Sequence, residues 1–159
     1  MSKGRAPLVA VIGGAACTPE QAMAAHEVGR MLADRGAVLI CGGRGGVMEA
    51  ACRGAKDAGG ITIGVLPGTD SSEGNPYLTI AIATGLGQAR NALVAQAGQA
   101  VIAIGGSYGT LSEIGLALKR GRKVIGLQTW KATDGEGSQA DIIQAYSPQE
   151  AVDLALSSD

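Results

Sequence analysis

The sequence has no phenylalanine, one tryptophan and three tyrosines, so aromatic residues make up only 3% of its 159 positions. A core must therefore be built from Ala, Val, Ile and Leu, with little ring surface left to dominate it. Histidine is nearly absent, with His26 alone, and the three cysteines, Cys17, Cys41 and Cys52, form no Cys-x-x-Cys pair. That scarcity argues against a bound metal or a disulfide framework and suits a reducing cytoplasm. Charge is sparse and balanced: thirteen Lys and Arg against fourteen Asp and Glu leave a formal charge of -1. Such a chain has no basic field for a nucleic-acid backbone. Long apolar runs are missing too, well short of the roughly 20 residues of a membrane span. The stretch from Pro7 to Ile12 behind Lys3 and Arg5 is too short for the core of a signal peptide. The expectation is a cytoplasmic protein that engages neither nucleic acid nor membrane.

What the chain has in quantity is glycine, 26 residues, with 46% hydrophobic content. A chain of this length encloses one core, so a single domain over residues 1–159 is expected, with its core at 7–127. Leu8-Val9-Ala10-Val11-Ile12 is a continuous apolar run ending at Gly13-Gly14, the form of a central parallel strand covered on both faces. Thr18-Pro19-Glu20-Gln21 joins an N-cap hydroxyl, a first-turn proline and a capping-box partner, which predicts a helix stopping near Gly36. Further strands are predicted at Ala37–Ile40, Ile61–Leu66, Leu78–Ile82, Ala100–Ile104 and Lys123–Leu127. Helices are predicted between them at Val47–Ala58, Gly87–Ala97 and Tyr108–Arg120. Residues 128–146, centred on Asp134-Gly135-Glu136-Gly137-Ser138, have the composition of a flexible loop. Ser147-Pro148-Gln149-Glu150 then opens a C-terminal helix within 147–157.

Strands alternating with helices imply βαβ crossovers, hence an α/β fold: a Rossmann-like, doubly wound, mainly parallel sheet with helices on both faces. Ligands of such sheets lie at the carboxyl ends of the strands where the strand order reverses. That switch is expected between the first and fourth strands. Three strands end in glycine pairs on this rim, Gly13-Gly14, Gly42-Gly43 and Gly105-Gly106. Glycine serves tight strand-to-helix turns for steric reasons alone, but it also bares the backbone N–H groups of a helix start to a phosphate. The spacing is that of neither a P-loop nor the Gly-x-Gly-x-x-Gly of a dinucleotide enzyme.

Three stretches carry a family resemblance: Cys41-Gly42-Gly43-Arg44-Gly45-Gly46-Val47-Met48-Glu49-Ala50, the pair Ala89-Arg90, and Gly105-Gly106-Ser107-Tyr108-Gly109-Thr110-Leu111-Ser112-Glu113. From about Leu8 to Leu127 the chain resembles the superfamily once labelled "possible lysine decarboxylase". Its members include the LONELY GUY cytokinin-activating phosphoribohydrolases and the molybdenum cofactor carrier proteins. The phosphoribohydrolases carry Pro-Gly-Gly-x-Gly-Thr-x-x-Glu after an Arg-Lys pair. Here Ile104 replaces the proline, Ser107 is an extra residue and Asn91 stands for the lysine. With the loop Ser72-Glu73-Gly74-Asn75-Pro76-Tyr77, these departures look more like the carrier branch.

The resemblance implies a phosphorylated small molecule as partner, with the molybdenum cofactor as a carried ligand, and a homodimer or homotetramer. In the alternative, a nucleoside 5′-monophosphate is hydrolysed at its N-glycosidic bond with Arg90 and Glu113 as catalytic residues. An oxocarbenium-like transition state needs a carboxylate near the ribose and a cation for the phosphate. Nothing resembles a pyridoxal phosphate lysine site. The phosphate contacts are expected from Gly13, Gly14, Gly42, Gly43, Arg44, Gly45, Gly46, Arg90, Gly105, Gly106, Ser107, Tyr108, Gly109 and Thr110, with Glu73 and Asn75 at the ligand rim. Thr110-Leu111-Ser112-Glu113 also reads as a capping box, a structural alternative for both residues. Arg90 in a first helical turn opposes the macrodipole unless an anion holds it, which argues for a ligand against the alternative of a solvated surface arginine.

Overall fold

The computed structural model describes residues 4–158. Seven strands form: β1 (Leu8–Gly13), β2 (Val38–Cys41), β3 (Thr62–Leu66), β4 (Ile80–Ala83), β5 (Ala100–Ile104), β6 (Lys123–Leu127) and β7 (Ile142–Ala145). Five α-helices connect or follow them: α1 (Pro19–Asp34), α2 (Val47–Asp57), α3 (Arg90–Ala97), α4 (Tyr108–Lys119) and α5 (Pro148–Leu156). All strand pairings are parallel. Every residue of β5 is buried, as a strand covered on both faces requires, and this accounts for its unbroken apolar run.

Alternate residues of the central strands feed two cores. Val9, Val11, Leu39, Ile102 and Ile104 pack with α1, α2 and α5 on one face. Ala10, Ile12, Val101, Ala103 and Val124 pack with α3 and α4 on the other. On the first face α1 and α2 meet almost backbone to backbone. A Cβ on Gly29 would collide with the Ala51 carbonyl oxygen, and one on Gly54 with that of His26. The predicted capping box at Thr18 and Gln21 is present and fixes where α1 begins.

The strand order is β4-β3-β2-β1-β5-β6-β7. The chain winds outward from β1 to β4, then returns to lay β5 against β1. The switch therefore lies between β1 and β5, not between the first and fourth strands, and β4 is an edge. The segment 128–146, expected as a loop, contains β7, which pairs with β6 from Val124↔Ile142 to Leu127↔Ala145. Its glycine-rich centre is a closed turn in which Asp134 Oδ1 accepts from the N–H groups of Glu136 and Ser138. The helix expected over Gly87–Ala97 is divided: a 3-10 turn, Gly87–Ala89, precedes α3 and brings Arg90 to its first position.

Candidate functional site

At the switch, the start of α4 is left open. Its N-cap, Ser107, makes no side-chain capping bond, and the first backbone bond runs from the Leu111 N–H to the Ser107 carbonyl at 3.0 Å. The N–H groups of Tyr108, Gly109 and Thr110 thus have no acceptor within the helix, and the positive end of its dipole faces outward. The turn that aims α4 needs glycine. Gly106 has φ 100°, and a Cβ there would collide with the Thr110 side chain; both conditions exclude a larger residue.

This helix end borders a cleft of about 380 Å³ whose walls come from three loops. Gly13, Gly14 and Ala15 follow β1; Ser107, Gly109, Thr110 and Glu113 belong to α4 and its cap; Gly87, Gln88, Arg90 and Asn91 lead into α3. Met48 and Pro67 complete the lining.

Arg90 and Glu113, more than twenty residues apart in sequence, both line this cleft. The Arg90 guanidinium lies against Gly42, where any Cβ would collide with it. Its Nε is buried with no hydrogen-bond partner. Burial lowers the arginine's pKa, while the Glu113 charge works in the opposite direction. Glu113 is 8% exposed. Because α4 starts at Tyr108 with Ser107 as N-cap, Thr110 lies inside the first turn and Glu113 in the second. The capping-box reading of Thr110 and Glu113 is therefore overturned. Among the described residues no hydrogen bond holds the carboxylate, and burial, partly offset by the Arg90 charge, pushes Glu113 from 4.5 up to about 7. Near neutral pH this carboxyl exchanges a proton readily, and in its protonated form it does not repel an anion in the cleft.

A carboxyl whose pKa is higher in the folded state than in the unfolded state holds its proton more tightly when folded. Its stabilising contribution is full below about pH 4.5 and is lost as pH rises through about 7. Glu113→Gln is expected to remove this dependence. In urea unfolding the variant should match the wild type near pH 4 and exceed it at pH 8, by up to about 3 kcal/mol. Equal stabilities at both pH values would show that the carboxyl is not perturbed.

The other sequence-predicted residues divide by location. Gly42, Gly43, Gly45 and Gly46 are outside the cleft lining: Gly42 and Gly43 are buried, and Gly46 borders a separate pocket with Glu49 and Tyr77. The Gly43 carbonyl accepts from the Asn75 N–H at 2.9 Å, and the Gly14 carbonyl accepts from the Val47 N–H at 3.1 Å. Thus the start of α2 is tied to the loop after β1. Arg44 turns outward to Glu73, 3.4 Å away. Asn75, expected at the ligand rim, instead donates through Nδ2 to the Arg44 carbonyl and accepts through Oδ1 from the Tyr77 N–H, each at 3.0 Å. It fastens the loop after β3 to the loop after β2, and with Glu73 it lies outside the cleft lining. Gly105 and Gly106 line a neighbouring cleft, and Tyr108 stands beside it. The sequence reading did not assign Ala15, Met48, Pro67, Gly87, Gln88 and Asn91 to the site. All but Pro67 had a local signal: Ala15 follows the Gly13-Gly14 turn, Met48 is in a family motif, and Gly87, Gln88 and Asn91 flank Arg90 at a helix entry.

The fold and this cleft define a single-domain, doubly wound α/β protein with its candidate site at the switch point. A model of the SLOG cluster4 family matches residues 6–152, and the chain belongs to that family. An uncharacterized protein of Archaeoglobus fulgidus is 40% identical over 151 residues, covering 94% of this chain and 95% of that protein. The structure of the molybdenum cofactor binding protein of the phototrophic bacterium Rippkaea orientalis is similar, with a TM-score of 0.86, 37% identity and 96% of each chain covered. So is that of the Moco carrier protein of Chlamydomonas reinhardtii, with a TM-score of 0.82, 35% identity, and 94% of this chain and 95% of that one covered. Among the described residues no helix is long and apolar enough to cross a membrane.

Proposed function

We propose that this protein binds a phosphorylated pterin, the molybdenum cofactor, as cargo in the cleft between β1 and β5. The observation that carries the reading is the half-buried Arg90, its Nε buried and unpaired, facing the same cleft as the open start of α4. A buried, unsatisfied donor on a cation is costly unless an anion completes it. A phosphate is well suited to bridge an arginine and free helix N–H groups. The similarity to proteins named as binders or carriers of the molybdenum cofactor supports the choice of ligand. The cofactor brings its own metal, held by its dithiolene sulfurs, so the protein need supply only the phosphate cradle and a wall for the ring. In calorimetric titration a phosphorylated pterin such as neopterin monophosphate should bind, and inorganic phosphate should compete with it. Binding that phosphate does not displace would contradict the cradle.

A second reading, hydrolysis of a nucleoside 5′-monophosphate, is favoured by Glu113 sharing the cleft with Arg90 and having a pKa of about 7. Incubation with AMP and an N6-substituted AMP, followed by chromatography of free base, decides it. Release that vanishes in both Arg90→Ala and Glu113→Ala establishes the hydrolase. Absence of release, with AMP still raising the melting temperature, leaves a binding site without that chemistry.

A further inference from the structure

The start of α4 separates two clefts, and the proposed phosphate reading uses only one of them. The second, about 500 Å³ in volume, is lined by Gln21, Gly105, Gly106, Gln128, Trp130 and Lys131, with Thr129. Its wall is the segment after β6, which is bonded to the loop that bears the α4 N-cap. The Thr129 hydroxyl donates to the Gly105 carbonyl at 2.6 Å, and the Trp130 indole N–H donates to the Ser107 carbonyl at 2.9 Å. Between these anchored residues and β6 sits Gln128, whose φ of 54° makes it the only non-glycine residue of the described chain with a left-handed backbone. Strain of this kind persists only where its surroundings impose it, and it concentrates at ligand sites.

The Tyr108 ring lies 5.8 Å from that of Trp130 at 33°. Tyr108 is nonetheless 80% exposed, so it contributes little to the core. As the first residue of α4, its side chain leans toward the helix N-terminus, the same end that offers the free N–H groups. In a sequence with 3% aromatic residues, two of the four rings thus stand together beside the open helix start. Gln21 and Gln128 place amide groups at the edge of this surface, suited to the polar rim of a heterocycle.

We propose that Tyr108 and Trp130 form a stacking platform for the planar heteroaromatic ring, pterin or purine, of the phosphorylated ligand. The inference rests on the phosphate reading above: phosphate between Arg90 and the α4 start, and the ring carried past that start onto the platform. Stacking of a base on an aromatic side chain is sequence-tolerant and has a large effect on affinity.

The test is calorimetric titration of inorganic phosphate, neopterin monophosphate and AMP into wild type, Tyr108→Ala and Tyr108→Phe. Because its ring is exposed, Tyr108→Ala should keep the wild-type melting temperature. It should weaken at least one of the two ring-bearing ligands by about tenfold, leave phosphate within twofold, and be rescued by Tyr108→Phe. The ligand that loses more identifies the ring. Trp130 is the only tryptophan, so quenching of its emission by AMP, which does not absorb there, reports stacking independently. Ring-bearing ligands that bind wild type and Tyr108→Ala equally would overturn the platform while leaving the phosphate site intact. If inorganic phosphate does not bind and does not compete, the phosphate reading itself fails, and the platform fails with it.

Discussion

Arg90→Ala is expected to weaken binding of a phosphorylated pterin by about a hundredfold or more, because removing a charged partner that the bound anion encloses costs about 2–5 kcal/mol. Arg90→Lys should recover little of this. An ammonium cannot reproduce the planar fork that lies against Gly42, and its charge would fall elsewhere. Protein stability should change far less than affinity. The substitution removes an unsatisfied buried Nε, and Glu113, deprived of the cation that opposes its upward shift, takes up a proton instead. Calorimetric titration beside a thermal melt separates the two effects. A variant that keeps wild-type affinity would remove Arg90 from the site.

Gly54→Ala should lower the melting temperature by about 5 °C, and helix propensity makes this a sharp test because it favours the opposite sign. Alanine is preferred to glycine within a helix by about 1 kcal/mol. At Gly54 the new Cβ would meet the carbonyl oxygen of His26 on α1. A backbone atom cannot rotate away, so α1 and α2 must separate and the packing of Ala25, Ala51 and Ala55 loosens. Overpacking of this kind costs about 1–3 kcal/mol or more and outweighs the propensity gain. Gly115 provides the matched control: it lies in α4, and a methyl group added there would have nothing within 4 Å. There alanine should stabilise by about 0.5–1 kcal/mol. If both substitutions raise the melting temperature, the close contact between α1 and α2 is not what holds that face together.

How much of this was legible depended on whether the signal was local. The runs Leu8–Ile12, Ala100–Ile104 and Lys123–Leu127 announced buried parallel strands because their pattern needs no knowledge of neighbours. The glycine pairs at strand ends, and Arg90 and Glu113 in one cleft, followed from motif spacing and resemblance. Strand order did not, because the pairing of β5 with β1 is a long-range choice among apolar strands of similar composition. β7 escaped for two reasons: it has only four residues, and it follows a segment dominated by the turn at Asp134. The capping box at Thr110 and Glu113 was a plausible local pattern displaced by tertiary structure. The chain enters α4 through two left-handed glycines, Gly105 and Gly106, which sets the cap at Ser107 and puts Glu113 on the cleft wall. Met48 reaches the same cleft from the first turn of α2, and Pro67, from the loop after β3, leaves no trace in its own neighbourhood.

The central claim, a cargo site for a phosphorylated pterin at the β1–β5 switch, is tested most directly by loading. The purified protein is incubated with molybdenum cofactor released from a molybdoenzyme, separated by gel filtration, and assayed for molybdenum and for the oxidised pterin in the protein fraction. The account predicts that both co-elute with the wild type in equal amounts, approaching one per chain, and that both are lost from Arg90→Ala. Cofactor that elutes free of the wild-type protein, or that co-elutes equally with Arg90→Ala, would contradict it.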